Sequence, residues 1–317
     1  MRATLQNRPT FATWAEVEEA LRKANWARHL YPDTQGRPAK LSWFIADHIG
    51  WVDNPRRKAT GQHAVYDHII KHVQGGDSVG WHCHALSPRR RALEYSTTWT
   101  THLGLVEESL CRRLLERGTF PSTFRAGGAI MRPDLAAWLD LFIPFDYSPH
   151  PALGGPGEAM DWRKPAPLAK RWEVCTAELD SITYKMTEED VERAFVAEEA
   201  LTGSGVVSYA GHDRRSVVGD MQRAHALVEK VAGKRKWKWA NASEALKPNY
   251  TPVEWSLVED AGVTYMTAAE PIFGHPFLAV QDGECVYRDN PTREDVMMWA
   301  FKPPKGARVV VAAWPAL

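Results

Sequence analysis

The chain has 317 residues, beyond the usual 100–200 of one domain, so one large domain with an appendage is expected. Its 39 basic and 39 acidic residues cancel to a formal net charge of zero, which argues against nucleic acid or a membrane surface as a partner. No apolar run approaches the roughly 18–20 residues of a membrane span, and the opening MRATLQNRPTFATWAEVEEAL lacks the apolar heart of a signal peptide. Cys83, Cys111, Cys175 and Cys285 are widely spaced with no CxxC pair, so reduced, buried thiols and a cytoplasmic location are expected.

The first element is a helix from Thr13, because TWAE is a capping box in which Thr13 accepts from the Glu16 amide and Glu16 reaches back. KLSWFIA (40–46) has the length and apolarity of a strand, and HAVYDHIIKHVQGG carries Val65, Ile69, Ile70 and Val73 at helical spacing. DSVGWHCH is the next strand, and a helix from Thr98 to Arg117 aligns Leu103, Val106, Leu110 and Leu114 before Gly118 ends it. STFRAG, IPFDYS, RWEVCTAEL, GVVSYAGHD and KWKWA read as further strands. Helices RPDLAAWLDLF, EEDVERAFVAEEAL and RRSVVGDMQRAHALVEKVAG fall between them, and residues 149–170 read as a long Pro/Gly-rich loop. Strands alternating with helices imply a largely parallel sheet. After residue 250 the pattern changes to the short strands VTYMTAA, PFLAVQ, ECVYRD and RVVVAAWPAL, a small β-rich C-terminal extension. The expected division is residues 1–250 and 251–317.

His82 and His84 stand two apart on the DSVGWHCH strand. Alternation points both to one face, about 6.6–6.8 Å apart, where two imidazoles can converge on one metal ion or serve as hydrogen-bonded histidines beside Cys83. In KRKWKWA the lysines and tryptophans interleave, and the tryptophans are expected to pack inward.

LSWFIADH, GDSVGWHCH, STFRAGG, IPFDYS and VVSYAGHD, in that order, resemble the motifs of the polysaccharide deacetylase (NodB-like carbohydrate esterase) superfamily over residues 40 to 242, about two-thirds of the chain. The resemblance implies an α/β fold, a (β/α) barrel, and a hydrolase that removes an acyl group of the N-acetyl type from a carbohydrate with the help of a divalent metal such as zinc. His82 matches the first metal-binding histidine. His84 stands two residues on rather than four, the later position being Leu86. Arg125 matches an arginine that orients an acidic catalytic residue, Asp146 lies in the YDSS slot, and His212 matches a late histidine acting as general acid; the alternatives are a strand-to-loop salt bridge for Arg125, a turn cap with Ser148 for Asp146 and a helix N-cap before RRSVV for His212-Asp213. The family's first strand carries an Asp pair, yet residues 1–39 hold only Asp33, so that strand is expected to be missing or altered. Asp47 and His48 are placed to substitute for the pair or to make loop hydrogen bonds. A catalytically impaired relative that binds a glycan or a protein is the alternative. The implied partner is a carbohydrate, and no oligomer is implied.

Overall fold

A strand at the extreme N-terminus, β1 (Arg2–Arg8), organises the molecule in this computed structural model, which describes residues 1–8, 13–46, 68–69, 71, 76–83, 110–111, 114–115, 118, 120–126, 139, 142–143, 145–148, 172–173, 176–179, 192, 205–212, 217–246, 255–268, 276–280, 298–302 and 309–313. It is followed by helix α1 (Trp14–Ala27), whose capping box is made as expected, with Thr13 Oγ1 accepting from the Glu16 amide and Glu16 Oε2 from the Thr13 amide. Next come β2 (Leu41–Ala46), β3 (Ser78–Cys83), β4 (Thr123–Ala126) and β5 (Phe145–Asp146). The expected single strand RWEVCTAEL is two short ones, β6 (Trp172–Glu173) and β7 (Ala177–Glu178). Then follow β8 (Val206–His212), helix α2 (Val217–Ala232), β9 (Lys238–Trp239) and helix α3 (Ala242–Leu246).

These strands form one parallel sheet in the order β6-β5-β4-β3-β2-β1-β8-β7, with β9 beside the first residues of β1. Laid flat, eight strands at about 4.8 Å spacing would hold the edges roughly 34 Å apart. Glu173 and Ala177, on the opposite edge strands, are only four residues apart in the chain, a reach of about 14 Å at full extension. The sheet therefore curls into a parallel half-barrel.

The two faces differ in chemistry. On the outer face Ala3, Leu5, Leu41, Trp43, Val207 and Tyr209 pack against Val17, Leu21 and Ala24 of α1 and Met221, Ala224 and Val228 of α2. The inner face carries buried Thr4, Gln6, Ser42, Thr123, Arg125 and Ser208. At the amino ends of the strands α3 closes the interior: Tyr147 donates to the Ala242 carbonyl, the Ala242 amide to Ser42 Oγ, and Arg2 to the Ala245 carbonyl.

A strand that the sequence reading did not foresee precedes β2. RATLQNR forms β1, with small or apolar residues outward and polar ones inward. The expected helices around residues 64–76, 98–117, 132–142 and 188–201 lie mostly outside the described residues, as does ECVYRD. Beyond residue 250, β10 (Trp255–Asp260), β11 (Val263–Ala268) and β13 (Met298–Phe301) pair antiparallel, as do β12 (Pro276–Val280) and β14 (Val309–Ala313). β10 and β13 were not foreseen from the sequence.

Candidate functional site

The described candidate residues collect at the carboxyl ends of the parallel strands, where open and barrel-like α/β sheets assemble their sites. His82 is the penultimate residue of β3 and is paired in register with Ala46 of β2 and Arg125 of β4. Both His82 and Arg125 are buried. His212 ends β8 opposite Arg8 of β1. Asp47 and His84 follow directly after β2 and β3 and lie outside the described residues, so the expected convergence of His82 with His84 does too.

His82 is oriented by its neighbour strand. Its Nδ1 lies 2.8 Å from the Arg125 carbonyl oxygen. A carbonyl only accepts, so Nδ1 carries the proton, and in the neutral ring the lone pair belongs to Nε2. Backbone and carboxylate acceptors fix the tautomer of metal-ligating histidines in the same way. Below His82 the strand can carry only glycine: a Cβ on Gly80 would sit 2.5 Å from Thr123 Oγ1 and 2.6 Å from the Phe44 ring. Phe44 in turn meets the Tyr147 ring at 6.2 Å, tilted by 57°.

Arg125 crosses the interior. Its Nη1 donates to Gln6 Oε1 at 3.0 Å and to the Tyr147 carbonyl at 2.6 Å. Because guanidinium only donates, the Gln6 oxygen faces it and the Gln6 nitrogen is turned to Ser208 Oγ, 2.6 Å away. Ser208 Oγ also meets Thr4 Oγ1 at 3.0 Å and Thr176 Oγ1 at 2.9 Å. One hydrogen-bonded line thus runs from β5 through β4 and β1 to β8. Gln6 is the member that sequence reasoning missed. Its signal was present: in RATLQNR, Thr4 and Gln6 alternate with Ala3 and Leu5 at the period of a strand.

Asp146 is not brought to the same face. It is the register partner of Phe124, one residue out of step with Arg125. Its Oδ1 accepts from the Ser148 amide at 2.9 Å and from Ser148 Oγ at 2.5 Å, and Ser148 Oγ accepts from the Ala126 amide at 2.8 Å. The carboxylate therefore closes an Asx-type turn that laces the end of β5 to the end of β4.

Where the resemblance implies an Asp pair on the first strand, β1 carries Gln6 and Asn7 just before its last residue, two carboxamides that take no proton near neutral pH. Among the described residues no three His, Cys, Asp or Glu side chains converge as a metal site. His82 fits a ligand role through Nε2. The other ligands implied fall on His84 and Asp47, outside the described residues.

In structure the chain is similar to peptidoglycan deacetylases. The peptidoglycan deacetylase PdaC from Bacillus subtilis is 11% identical, with 78% of this chain and 90% of that chain covered and a TM-score of 0.35. A peptidoglycan deacetylase from Bdellovibrio bacteriovorus is 12% identical, with 77% of this chain and 54% of that chain covered and a TM-score of 0.34. No family model matches the chain, and no curated protein matches it in sequence.

Proposed function

We propose that the chain is a carbohydrate-directed hydrolase of the deacetylase kind, with His82 as a metal ligand at the carboxyl end of the half-barrel. The observation that carries this reading is the Nδ1 contact of His82 with the Arg125 carbonyl, which leaves Nε2 as the basic nitrogen. A divalent ion such as zinc, when bound, would polarise the acyl carbonyl and acidify a water. The chain's own part is to hold the imidazole by the β4 backbone, to fix Arg125 against Gln6, and to supply His212 at the end of β8 as the acid that protonates the leaving amine. Asp47 and His84 complete the ligand and base set in this reading.

The substrate is a glycan or glycan precursor carrying an N-acetyl-type group. The test is to measure bound metal and acetate release from an N-acetylated oligosaccharide in the wild type, His82→Ala and His84→Ala. Loss of both in the two variants is expected; unchanged metal and acetate release would refute the assignment.

One observation favours a second reading, a glycan-binding module without catalysis: the group facing Arg125 from β1 is the carboxamide of Gln6, not a carboxylate. In that case calorimetry detects glycan binding while no acetate appears.

A further inference from the structure

The carboxyl ends of α1 and α2 and the segments that follow them meet at the amino ends of the strands, on the side away from His82. KRKWKWA divides there: Trp237 and Trp239 are buried, while Lys234, Arg235, Lys236 and Lys238 are exposed. Hydrogen bonds hold this segment beside the one after α1. The Trp237 amide donates to Thr34 Oγ1 at 2.9 Å, and Trp239 Nε1 donates to the Tyr31 carbonyl at 2.8 Å. The His225 ring sits between Tyr31 and Trp237, at 5.8 and 5.6 Å. Two large apolar side chains are exposed at the same end, one on the last turn of α1 and one just after it: Trp26 at 59% and Leu30 at 48%. Among the described residues no carboxylate lies within ion-pair distance of Lys234, Lys236 or Lys238.

We propose that this face docks on an anionic phospholipid surface. Each Lys or Arg held near such a surface strengthens binding roughly fivefold, and salt weakens the attraction. An indole and a leucine exposed at the same end of the half-barrel suit the boundary between headgroups and acyl chains, where aromatic and aliphatic anchors insert. A soluble polyanion would engage the lysines and arginine but has no use for Trp26 and Leu30. Docked this way, the carboxyl ends of the strands face away from the bilayer. The inference rests on no reading of the catalytic function.

Co-sedimentation of the full chain with vesicles tests it. Mixed phosphatidylcholine–phosphatidylglycerol vesicles should retain the protein at low salt, pure phosphatidylcholine vesicles should not, and added salt should release it. The double variant Lys234→Gln, Lys236→Gln should weaken partition roughly 25-fold. Trp26→Ser should weaken it severalfold without changing the salt dependence. All three side chains project into solvent, so the variants should keep the wild-type melting temperature. No retention on mixed vesicles at low salt, equal retention on pure phosphatidylcholine, or retention that Trp26→Ser leaves unchanged would overturn the proposal, the last assigning the cations to a soluble polyanion.

Discussion

The two ends of the half-barrel use the same residue types for opposite ends. At the amino end Asp77 and Arg28 form a buried bidentate pair, Nη1 to Oδ1 at 2.9 Å and Nη2 to Oδ2 at 3.0 Å. Asp77 also accepts from the Leu41 amide and from Trp43 Nε1, and Arg28 donates to the Ala39 carbonyl and Asn25. Asp33 is as fully engaged, by the amides of Gln35, Arg37 and Trp239 and by the Arg37 guanidinium. At the carboxyl end His82 is held through Nδ1 by the Arg125 carbonyl of the neighbouring strand. The amino end thus invests its buried carboxylates in ion pairs with several donors each, and the carboxyl end uses a strand-to-strand contact to orient a ring.

The strongest way to break this comparison is at the amino end. Asp77→Ala leaves the buried Arg28 without its carboxylate and should cost about 3–5 kcal/mol in denaturant unfolding, while metal content per folded molecule stays unchanged. Gly80→Ala forces a methyl group onto Thr123 and Phe44 beneath His82 and should cost about 1–3 kcal/mol. Unlike the first substitution, it should also disturb metal binding if His82 is a ligand.

Acid titration separates the ends further. Burial alone would push the Asp33 carboxyl up, but the Arg37 guanidinium and the amides of Arg37, Gln35 and Trp239 outweigh it and hold the group below the usual carboxylate range. A depressed folded value means that Asp33 stabilises the protein above the unfolded value of about 4, and that this contribution is lost as pH falls through the folded value. Asp33→Asn should therefore lower stability at neutral pH and flatten the acid limb of the stability curve below about pH 4, measured by thermal melts across pH.

Gln6→Glu sharpens the carboxyl end. The near-isosteric change faces Arg125 with a carboxylate and should alter stability by about 1 kcal/mol or less, with the ion pair gained offset by the desolvation of a buried charge. Acetate release that appears or rises in this variant would identify the missing proton acceptor as the limit on catalysis. The smallest effect is expected outside the parallel sheet, in the two-residue turn between β10 and β11, where Ala261 and Gly262 have φ of 49° and 77°. Ala261→Gly removes the Cβ penalty of the left-handed region and should stabilise by up to about 1 kcal/mol, read from the thermal midpoint.

How much was legible follows from the same contrast between faces. β2, β3, β4 and β8 could be read because their apolar content is high enough for strands covered on both sides. β1 was missed although Thr4 and Gln6 alternate with Ala3 and Leu5, because those last two are the apolar residues in RATLQNR and make too short a run to stand out. KRKWKWA was read correctly as inward tryptophans, because interleaving at period two sends one residue type to each side. The role of Asp146 was legible only as a choice between catalysis and turn formation. Which face it takes depends on strand register, and one step separates Phe124 from Arg125. Asp77 carried no local signature, because its partners Arg28 and Leu41 come from segments far away in sequence, whereas Asp33 bonds mainly to its neighbours Gln35 and Arg37 and only its tie to Trp239 was illegible.

The central position of β1 has a consequence for how the protein is made. Arg2–Arg8 is synthesised well before Val206–His212, yet one whole edge of that strand is matched by the later segment. Synthesis at about 5–20 residues per second separates the two by roughly 10–40 seconds. During that interval the nascent chain displays an unpaired strand edge, a template for wrong partners. Chaperone demand should accordingly fall on β1 and end only when the eighth strand emerges.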